Sequence, residues 1–301
     1  MNTEVSVSRL REREDLMKHR YVTISVDDGY PGDLKAADLF QKYGLHATFY
    51  IPADNPERPL MTRGQVRELG QAFEIGSHTY HHTPLKSMSE ENAWAEIQDG
   101  KKWLEDILGE PSIAFCYPRG KVSRRAVALV KRAGFFGART SLHHQCHFPD
   151  NPFLWGVTTL AHCHSKIIHV RHALLERNFV GVRNFFLTHK GATDWQEHFS
   201  YGLDYVEKNG GIAHLCLHSW EIEELGEWPK LESVLDSVAR RGLTSVTNGA
   251  LFRLWAQVQE DSLVPDGSAL AQRAGHPQDR ELSKMTAAQE MTARERIVTK
   301  P

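Results

Sequence analysis

The chain has 301 residues, of which 41% are hydrophobic and 25% are charged, a composition that favours a globular protein over a disordered or fibrous one. Its 36 basic and 38 acidic residues give a formal charge of −2, so no basic excess indicates a nucleic-acid partner and no polybasic run indicates anionic lipid. No stretch reaches the roughly 18 consecutive apolar residues of a membrane-spanning helix, so we expect no transmembrane segment.

Residues 1–19 form a polar N-terminal extension, with a short helix expected over 8–18 and no apolar core of a secretory signal. The cysteines have no CxxC spacing and are interpreted as reduced thiols; they are Cys116, Cys146, Cys163 and Cys216. From these features we expect a cytoplasmic protein.

The apolar, β-branched run Tyr21–Ile24 predicts a buried strand that ends in a turn at Gly29. This strand leads into the adjacent carboxylates Asp27 and Asp28. Like charges so close together repel, but the pair is tolerable if a cation binds one carboxylate and the other stays free as a base.

Strands and helices alternate along the rest of the chain. Asp33 is the predicted N-cap of a helix through Tyr43, and Thr62 begins a capping box for a helix ending at Gly70. Further strands are predicted over residues 47–51, 72–76, 112–117, 135–139, 212–217 and 243–247. Further helices are predicted over residues 87–108, 123–134, 165–178, 194–208, from 229, and after the last strand to about 258. Residues 259–301 turn polar and are expected to form a mobile tail.

A histidine-rich segment, Ser77–His82, follows the third strand. His78 and His82 are four residues apart, so a helical turn or tight loop places both imidazoles on one side, as in HExxH zinc sites. With one aspartate they make a two-histidine, one-carboxylate set that leaves metal positions open. The alternative is a solvated turn and an incidental histidine-rich loop.

About seven alternations of strand and helix favour a parallel sheet, either open or closed into a barrel. Residues with candidate functional side chains lie at or just beyond the carboxyl ends of four different predicted strands: Asp27 and Asp28, His78, Tyr117 and His218. In a barrel those strand ends converge on one mouth, whereas in an open sheet they spread along an edge. We therefore favour a barrel.

Together these motifs resemble the polysaccharide deacetylase family, the NodB-homology domain of family 4 carbohydrate esterases. Ser25–Gly29 is similar to the family's T-F-D-D-G motif, His78–His82 to H-[ST]-x-x-H, and Leu215–His218 to L-x-L-H. The resemblance spans about residues 20–255 and implies that residues 20–258 form a distorted (β/α)7 barrel. It also implies metal-dependent removal of an N- or O-acetyl group from a carbohydrate.

The resemblance further implies roles for individual residues. Asp28, His78 and His82 would hold the metal, which is usually zinc in the family, with cobalt or nickel as other options. Asp27 would be the general base and His218 the general acid.

The third family motif, R-x-P-[YF], is altered in this chain, because Cys116 replaces its arginine and Arg119 replaces its aromatic residue. The backbone N–H of Arg119 could still serve the oxyanion, and Arg139 at the end of the following strand could supply the missing guanidinium. A fourth motif, an Asp-Trp pair, is not evident. Trp155 after Asp150 is its nearest candidate, with a core position as the alternative.

Several other residues have two open interpretations. Leu217 and Trp220 could form an apolar wall facing the acetyl methyl group, and Trp220 and Tyr117 could stack on a sugar or belong to the core. The His/Cys-rich segment 143–164 could be a structural zinc site, but we prefer to interpret it as a polar rim near the barrel mouth. Its residues are His143, His144, Cys146, His147, His162, Cys163 and His164.

An intracellular amino-sugar intermediate or oligosaccharide fits a cytoplasmic enzyme better than an extracellular polymer does. One alternative is a related amide or formamide hydrolase acting on a lipid-linked sugar or a cyclic amide. Another is an iron site for oxygen activation, and a third, suggested by the arginine missing at Cys116, is a non-catalytic sugar-binding relative. The sequence gives no indication of the oligomeric state.

Overall fold

Strands and helices alternate along residues 13–263, which a computed structural model describes. The strands are β1 (Arg20–Asp27), β2 (Thr48–Ile51), β3 (Glu74–Ser77), β4 (Ala114–Cys116), β5 (Gly137–Arg139), β6 (Thr159–Leu160), β7 (Gly211–Leu217) and β8 (Thr244–Ser245). The helices are α1 (Asp33–Lys42), α2 (Arg63–Leu69), α3 (Glu90–Leu108), α4 (Arg124–Arg132), α5 (Lys166–Leu175), α6 (Phe179–Leu187), α7 (Trp195–Asn209), α8 (Ser219–Glu224), α9 (Trp228–Ala239) and α10 (Asn248–Leu263). Residues 1–12 of the predicted extension and the predicted tail from residue 264 onward lie outside the described residues.

All strand pairs in the sheet are parallel, in the order β5-β4-β3-β2-β1-β7-β6, and β8 pairs with the beginning of β1. The sheet is curled, as the prediction of a distorted (β/α)7 barrel requires. The longest ladder joins β1 and β7 from Arg20↔Gly211 to Val26↔Leu217. Every residue of β7 is buried, and so is every residue of β1 after Arg20, as expected for a parallel strand that is covered on both faces.

One short stretch, residues 155–160, spans the gap between the two ends of the sheet, and we call it the closing segment. Its first residue, Trp155, forms a parallel bridge with Arg139 of β5. Its last two residues are β6, where Thr159 pairs with Leu215 of β7. The closing segment therefore holds the sheet in its curled form, so the carboxyl ends of the strands face one opening.

The sequence missed β6, α6 and α8. β6 has only two residues, too few for a periodic signal. α6 follows α5 closely, and the chain reverses between them at Arg177, whose φ of 55° is left-handed. In residues 13–263 no helix is long and apolar enough to cross a membrane.

Asp33 is not the N-cap that the sequence predicted. Gly32 occupies the cap position of α1 without a side-chain hydrogen bond. Asp33 is instead the first residue of α1 and is fully buried. Its carboxyl accepts a hydrogen bond from the Ser219 hydroxyl. Burial raises the pKa of Asp33 well above its usual value, so the group favours its neutral form.

Helix α3 packs closely against the loop that carries the two predicted metal-binding histidines. A Cβ atom at Gly100 would lie 2.6 Å from the backbone carbon and 2.8 Å from the backbone oxygen of Thr79. Only a hydrogen atom fits there, so Gly100 sets how closely α3 supports the loop.

We expect Gly100→Ala to destabilise the protein by about 1–3 kcal/mol, because overpacking against a fixed backbone outweighs the better helix propensity of alanine. The matched control is Gly64→Ala in α2, where a Cβ atom would approach only the Thr62 hydroxyl oxygen, at 3.9 Å. Denaturant unfolding of both variants measures the difference. Equal midpoints for the two variants would contradict the close packing at Gly100.

Candidate active site

The curled sheet brings the predicted site residues together at the carboxyl ends of its strands. Asp27 ends β1 and Asp28 follows it, His78 follows β3, Arg139 ends β5 and His218 follows β7. Residues from four separate parts of the sequence therefore share one end of the barrel, as expected from the positions of the predicted strands.

Asp28 lies between the two histidines of the H-T-Y-H-H segment. Its Oδ1 is 3.1 Å from Nε2 of His82 and 3.7 Å from Nε2 of His78. Nδ1 of His78 donates to the backbone oxygen of Cys116 at 2.8 Å. A carbonyl can only accept, so Nε2 of His78 has its lone pair free and directed at the site, as in metal-binding imidazoles. One donor atom from each of the three residues lies within 4.8 Å of the others, so the set fits a divalent ion such as zinc.

The turns that carry these three residues adopt unusual backbone conformations. Asp28 has φ 81° and His82 has φ 53°, both in the left-handed region that disfavours residues with a Cβ. The backbone N–H of Asp28 donates to the carbonyl of Tyr50 at 3.1 Å, which holds the turn after β1 against β2. Strain of this kind persists where the surrounding structure enforces it, and such residues cluster at functional sites.

The charge states of this group also suit metal binding. Burial alone would raise the pKa of Asp28, but its hydrogen bond to His82 and the nearby charge of His218 outweigh burial and hold the pKa far below its usual value. Burial lowers the pKa of His78 to about 4. An ionised carboxylate and a neutral imidazole are the forms in which these residues bind a metal.

Asp27 is paired with Arg139, whose Nη2 donates to both carboxylate oxygens of Asp27. The aspartate is 4% exposed and the arginine 3%. Arg139 is the Cα partner of Cys116 in the β4–β5 ladder, so the guanidinium comes from the strand next to the altered motif and at the same level. Burial alone would raise the pKa of Asp27, but the charge of Arg139 is the main opposing effect and the net shift is downward.

His218 faces both aspartates. Its Nε2 lies 3.9 Å from Oδ2 of Asp27 and 4.0 Å from Oδ2 of Asp28. Its Nδ1 donates to a carboxylate oxygen of Glu221 at 2.8 Å. Burial alone would lower the pKa of His218, but the Glu221 hydrogen bond and the two aspartate charges outweigh burial and raise the pKa to about 9. These contacts therefore favour the protonated form of the ring.

Glu221 contacts His218 at the site, although the sequence did not predict it as a site residue. It lies on α8, three residues after His218, and its other oxygen is 3.3 Å from Nδ1 of His162. The spacing of three residues on a helix was the available signal, but no helix was predicted directly after β7.

Trp220 lies at the site, and its position gives it a role beyond the predicted apolar wall. Its indole N–H donates to Oδ2 of Asp28 at 2.9 Å. The guanidinium carbon of Arg58 lies 3.9 Å from the centre of the Trp220 ring. The centres of the Trp220 and His218 rings are 5.5 Å apart. Trp220 therefore orients the aspartate in addition to facing the opening.

The sequence predicted that Tyr117 and Leu217 contact the substrate, but both side chains are fully buried. The Tyr117 ring packs edge-on against Phe115 with ring centres 5.2 Å apart. Leu217 belongs to the main hydrophobic core. We therefore withdraw both as residues that contact substrate.

Arg119 and Trp155 also have defined positions. The Arg119 side chain pairs with Glu57, on the loop after β2, and the use of its backbone N–H as an oxyanion donor stays a prediction. Trp155 is 4% exposed and packs among aromatic rings, including those of Phe148 and Phe252, so the structure favours the core interpretation.

Only part of the His/Cys-rich segment 143–164 departs from the polar rim that we preferred. His144 is 1% exposed and Cys146 is 2% exposed, so these two residues belong to the interior. His147 and Cys163 are exposed, and His143, His162 and His164 are half-buried. Part of the segment therefore belongs to a buried histidine cluster, because His144 lies beside His189 and His198.

Comparison with known proteins places this geometry in context. A family model described as polysaccharide deacetylase matches residues 15–138. A Bacillus cereus peptidoglycan-N-acetylglucosamine deacetylase is 29% identical over 136 residues, which are 44% of this chain and 62% of that protein. A Bacillus subtilis protein described as "Putative polysaccharide deacetylase YxkH" is 25% identical over 136 residues, which are 44% of this chain and 49% of the relative. The chain thus spans about half to three-fifths of the length of these two curated relatives.

The fold also has a counterpart among solved structures. A crystal structure described as "putative polysaccharide deacetylase from Mycobacterium smegmatis" is 14% identical and has a TM-score of 0.55. The match covers 83% of this chain and 94% of that chain. At this identity the likeness concerns the fold alone. The family model over residues 15–138 and the two curated relatives confirm the resemblance to the polysaccharide deacetylase family that the motifs indicated.

Proposed function

We propose that the protein is a metal-dependent hydrolase that removes the N-acetyl group from an amino sugar. The observation that carries this proposal is that two groups of residues lie side by side where several strands of the barrel end. Asp28, His78 and His82 form a donor set for a divalent ion. Asp27 and His218 lie beside this set, and Oδ2 of Asp27 is 3.9 Å from Nε2 of His218.

Asp28, His78 and His82 would hold a divalent ion, which would supply Lewis-acid polarisation of the acetyl carbonyl and would make the attacking water more acidic. Asp27 accepts the proton of the attacking water as general base. Arg139 holds the carboxylate in its ionised form and in a fixed orientation through both oxygens, so the base does not need to reorganise during the step.

His218 donates the Nε2 proton to the nitrogen of the leaving sugar, since an amine is too basic to leave as an anion. Glu221 fixes the ring by accepting from Nδ1 and stabilises its charged form, in the way that an aspartate supports histidine in a catalytic triad. A group that stays protonated at neutral pH matters most for an amide, whose leaving amine must receive a proton, and this favours an N-acetyl over an O-acetyl substrate. The name of the Bacillus cereus relative, which refers to N-acetylglucosamine in peptidoglycan, supports the same substrate class.

The alternatives from the sequence have less support. A non-catalytic relative was suggested by the arginine missing at Cys116, but Arg139 brings a guanidinium to Asp27 from the next strand. An iron site for oxygen activation leaves both the Asp27–Arg139 pair and the His218–Glu221 pair without a purpose. Hydrolysis of a formamide, a lipid-linked amide or a cyclic amide would use the same residues, so substrate tests must distinguish these reactions.

The proposal is tested by measuring acetate release from N-acetylated monosaccharides, chitin oligomers, peptidoglycan fragments and lipid-linked sugars. Zinc, cobalt and nickel are supplied in turn, and a chelator serves as the negative control. We expect acetate from at least one N-acetylated sugar, only with added metal. Turnover of formylated or cyclic amides without any acetate release would instead support the alternative hydrolase.

Substitutions should separate the metal ligands from the proton-transfer residues. We expect Asp27→Asn and His218→Ala each to lower turnover by a factor of about 100 or more while the metal content is unchanged, because general acid–base catalysis contributes factors of that size. Asp28→Ala should instead lose the metal of this site. Turnover and elemental analysis of the same preparations give both quantities, and near-wild-type turnover of Asp27→Asn would remove Asp27 as the base.

A second substitution series tests the relocated arginine. Arg139→Cys should destabilise the protein by about 3–5 kcal/mol, since it leaves the Asp27 charge buried without a partner. The double variant Arg139→Cys with Cys116→Arg returns the guanidinium to the strand where the family carries it. We expect the double variant to recover part of both the stability and the turnover lost in the single variant.

The same series has a defined pH dependence. Asp27 has a lowered pKa in the folded state, so the stabilisation it provides is present above its unfolded pKa of about 3.9 and is lost as the pH falls. The stability difference between wild type and Arg139→Cys should therefore shrink toward low pH. A difference that is constant with pH, or a double variant no better than the single one, would contradict the role of the pair.

A further inference from the structure

A second group of histidines lies buried away from Asp28. His144 comes from the loop after β5, His189 from the loop after α6, and His198 from α7. Each of the three residues contributes one ring nitrogen, and these three nitrogens all lie within 4.8 Å of one another. The three residues are 1%, 0% and 2% exposed, respectively, so water does not readily reach these nitrogens.

The hydrogen bonds of these rings leave free lone pairs. Nδ1 of His189 donates to the backbone oxygen of His198 at 2.9 Å, and because a carbonyl only accepts, Nε2 of His189 is the unprotonated nitrogen. That Nε2 has no hydrogen-bond partner among residues 13–263, and the same holds for Nε2 of His144. Buried polar atoms are nearly always paired in folded proteins, so these two nitrogens call for a partner.

The third ring is oriented from behind in a similar way. Nδ1 of His198 lies 2.8 Å from the Thr159 hydroxyl, while its Nε2 lies 2.9 Å from Nδ1 of His144. The His198 ring is also stacked on that of His189 at 3.7 Å between centres. Each of the three rings is thus held in place by a hydrogen bond at one nitrogen, and Nε2 of His144 and Nε2 of His189 remain unpaired among residues 13–263. Hydrogen bonds of this kind orient metal-binding imidazoles.

A small cavity adjoins the cluster. Its volume is about 10 Å³, which is the space that one water-sized sphere occupies. Six of its lining residues are histidines, namely His143, His144, His162, His164, His169 and His198. The space beside the cluster is therefore small, polar and rich in nitrogen donors.

We propose that His144, His189 and His198 bind a second divalent ion, Zn²⁺, separate from the ion at Asp28. Imidazole nitrogens suit zinc, whereas calcium and magnesium prefer oxygen ligands. Three protein ligands leave a fourth position for a water molecule or for one of the histidines that line the cavity. The ion joins the loop after β5, the end of the α5–α6 hairpin and α7, so it stabilises the part of the chain around the closing segment.

The first test separates the two sites by metal content. Asp28→Ala combined with His82→Ala removes two ligands of the first site and leaves the histidine cluster unchanged. After loading with Zn²⁺ and gel filtration, we expect this variant to retain about one zinc per folded chain and the wild type about two. A folded variant that retains none would overturn the second site. A wild type with only one zinc that this variant also retains would instead count against the first site, so the two proposals can fail separately.

The second test localises the ion. In the Asp28→Ala, His82→Ala background, adding His189→Gln and His198→Gln should abolish zinc retention. The matched control is His147→Gln, because His147 lies in the same loop but its Nε2 contacts the Tyr205 hydroxyl at 3.3 Å. Zinc should remain in the control, and zinc that also remains after the His189 and His198 substitutions would overturn the proposal.

A spectroscopic measurement covers the case in which the histidine substitutions prevent folding. X-ray absorption of zinc in the Asp28→Ala, His82→Ala variant should show a shell of nitrogen or oxygen neighbours at about 2.0–2.1 Å. A sulfur neighbour at about 2.3 Å would place the zinc at a cysteine and would overturn the assignment to the three histidines.

Discussion

Two carboxylates on consecutive residues at the end of a buried strand repel each other, and the site is built around the need to give each one a positive partner. Asp27 receives the guanidinium of Arg139 through both oxygens. Asp28 receives two imidazoles and the indole N–H of Trp220, a set that a divalent ion completes. An unpaired buried charge is very costly, and the different partners of the two aspartates support the proposal that Asp27 serves proton transfer and Asp28 binds a metal.

A parallel barrel makes this division tolerant of sequence change. Its strands end at one mouth, so neighbouring strands can present a side chain to the same point. Cys116 and Arg139 are register partners, and the Sγ atom of Cys116 lies 4.0 Å from Oδ2 of Asp27. A small residue on β4 leaves room for a long one from β5. The electrostatic requirement at Asp27 thus concerns the position of the guanidinium, and either strand satisfies it.

Histidines serve different purposes in two parts of this fold. His78 and His82 lie at the opening beside His218, whose charged form is stabilised by Glu221. His144, His189 and His198 lie in the interior with two nitrogens that have no partner among residues 13–263. The buried group adjoins the closing segment through Thr159, so the proposed second ion stabilises the curl of the sheet on which the convergence of the strand ends depends.

The alternation of strands and helices, the parallel sheet and the placement of Asp27, Asp28, His78 and His218 at strand ends were all predicted without coordinates, because they follow from local periodicity and motif spacing. The sequence also indicated Arg139 as a source of the missing guanidinium. It could not identify Glu221 as the partner of His218, exclude Tyr117 and Leu217 from the opening, or bring His144, His189 and His198 together. Those features depend on how far each side chain reaches and on which distant segments pack together, and neither is encoded in local sequence patterns.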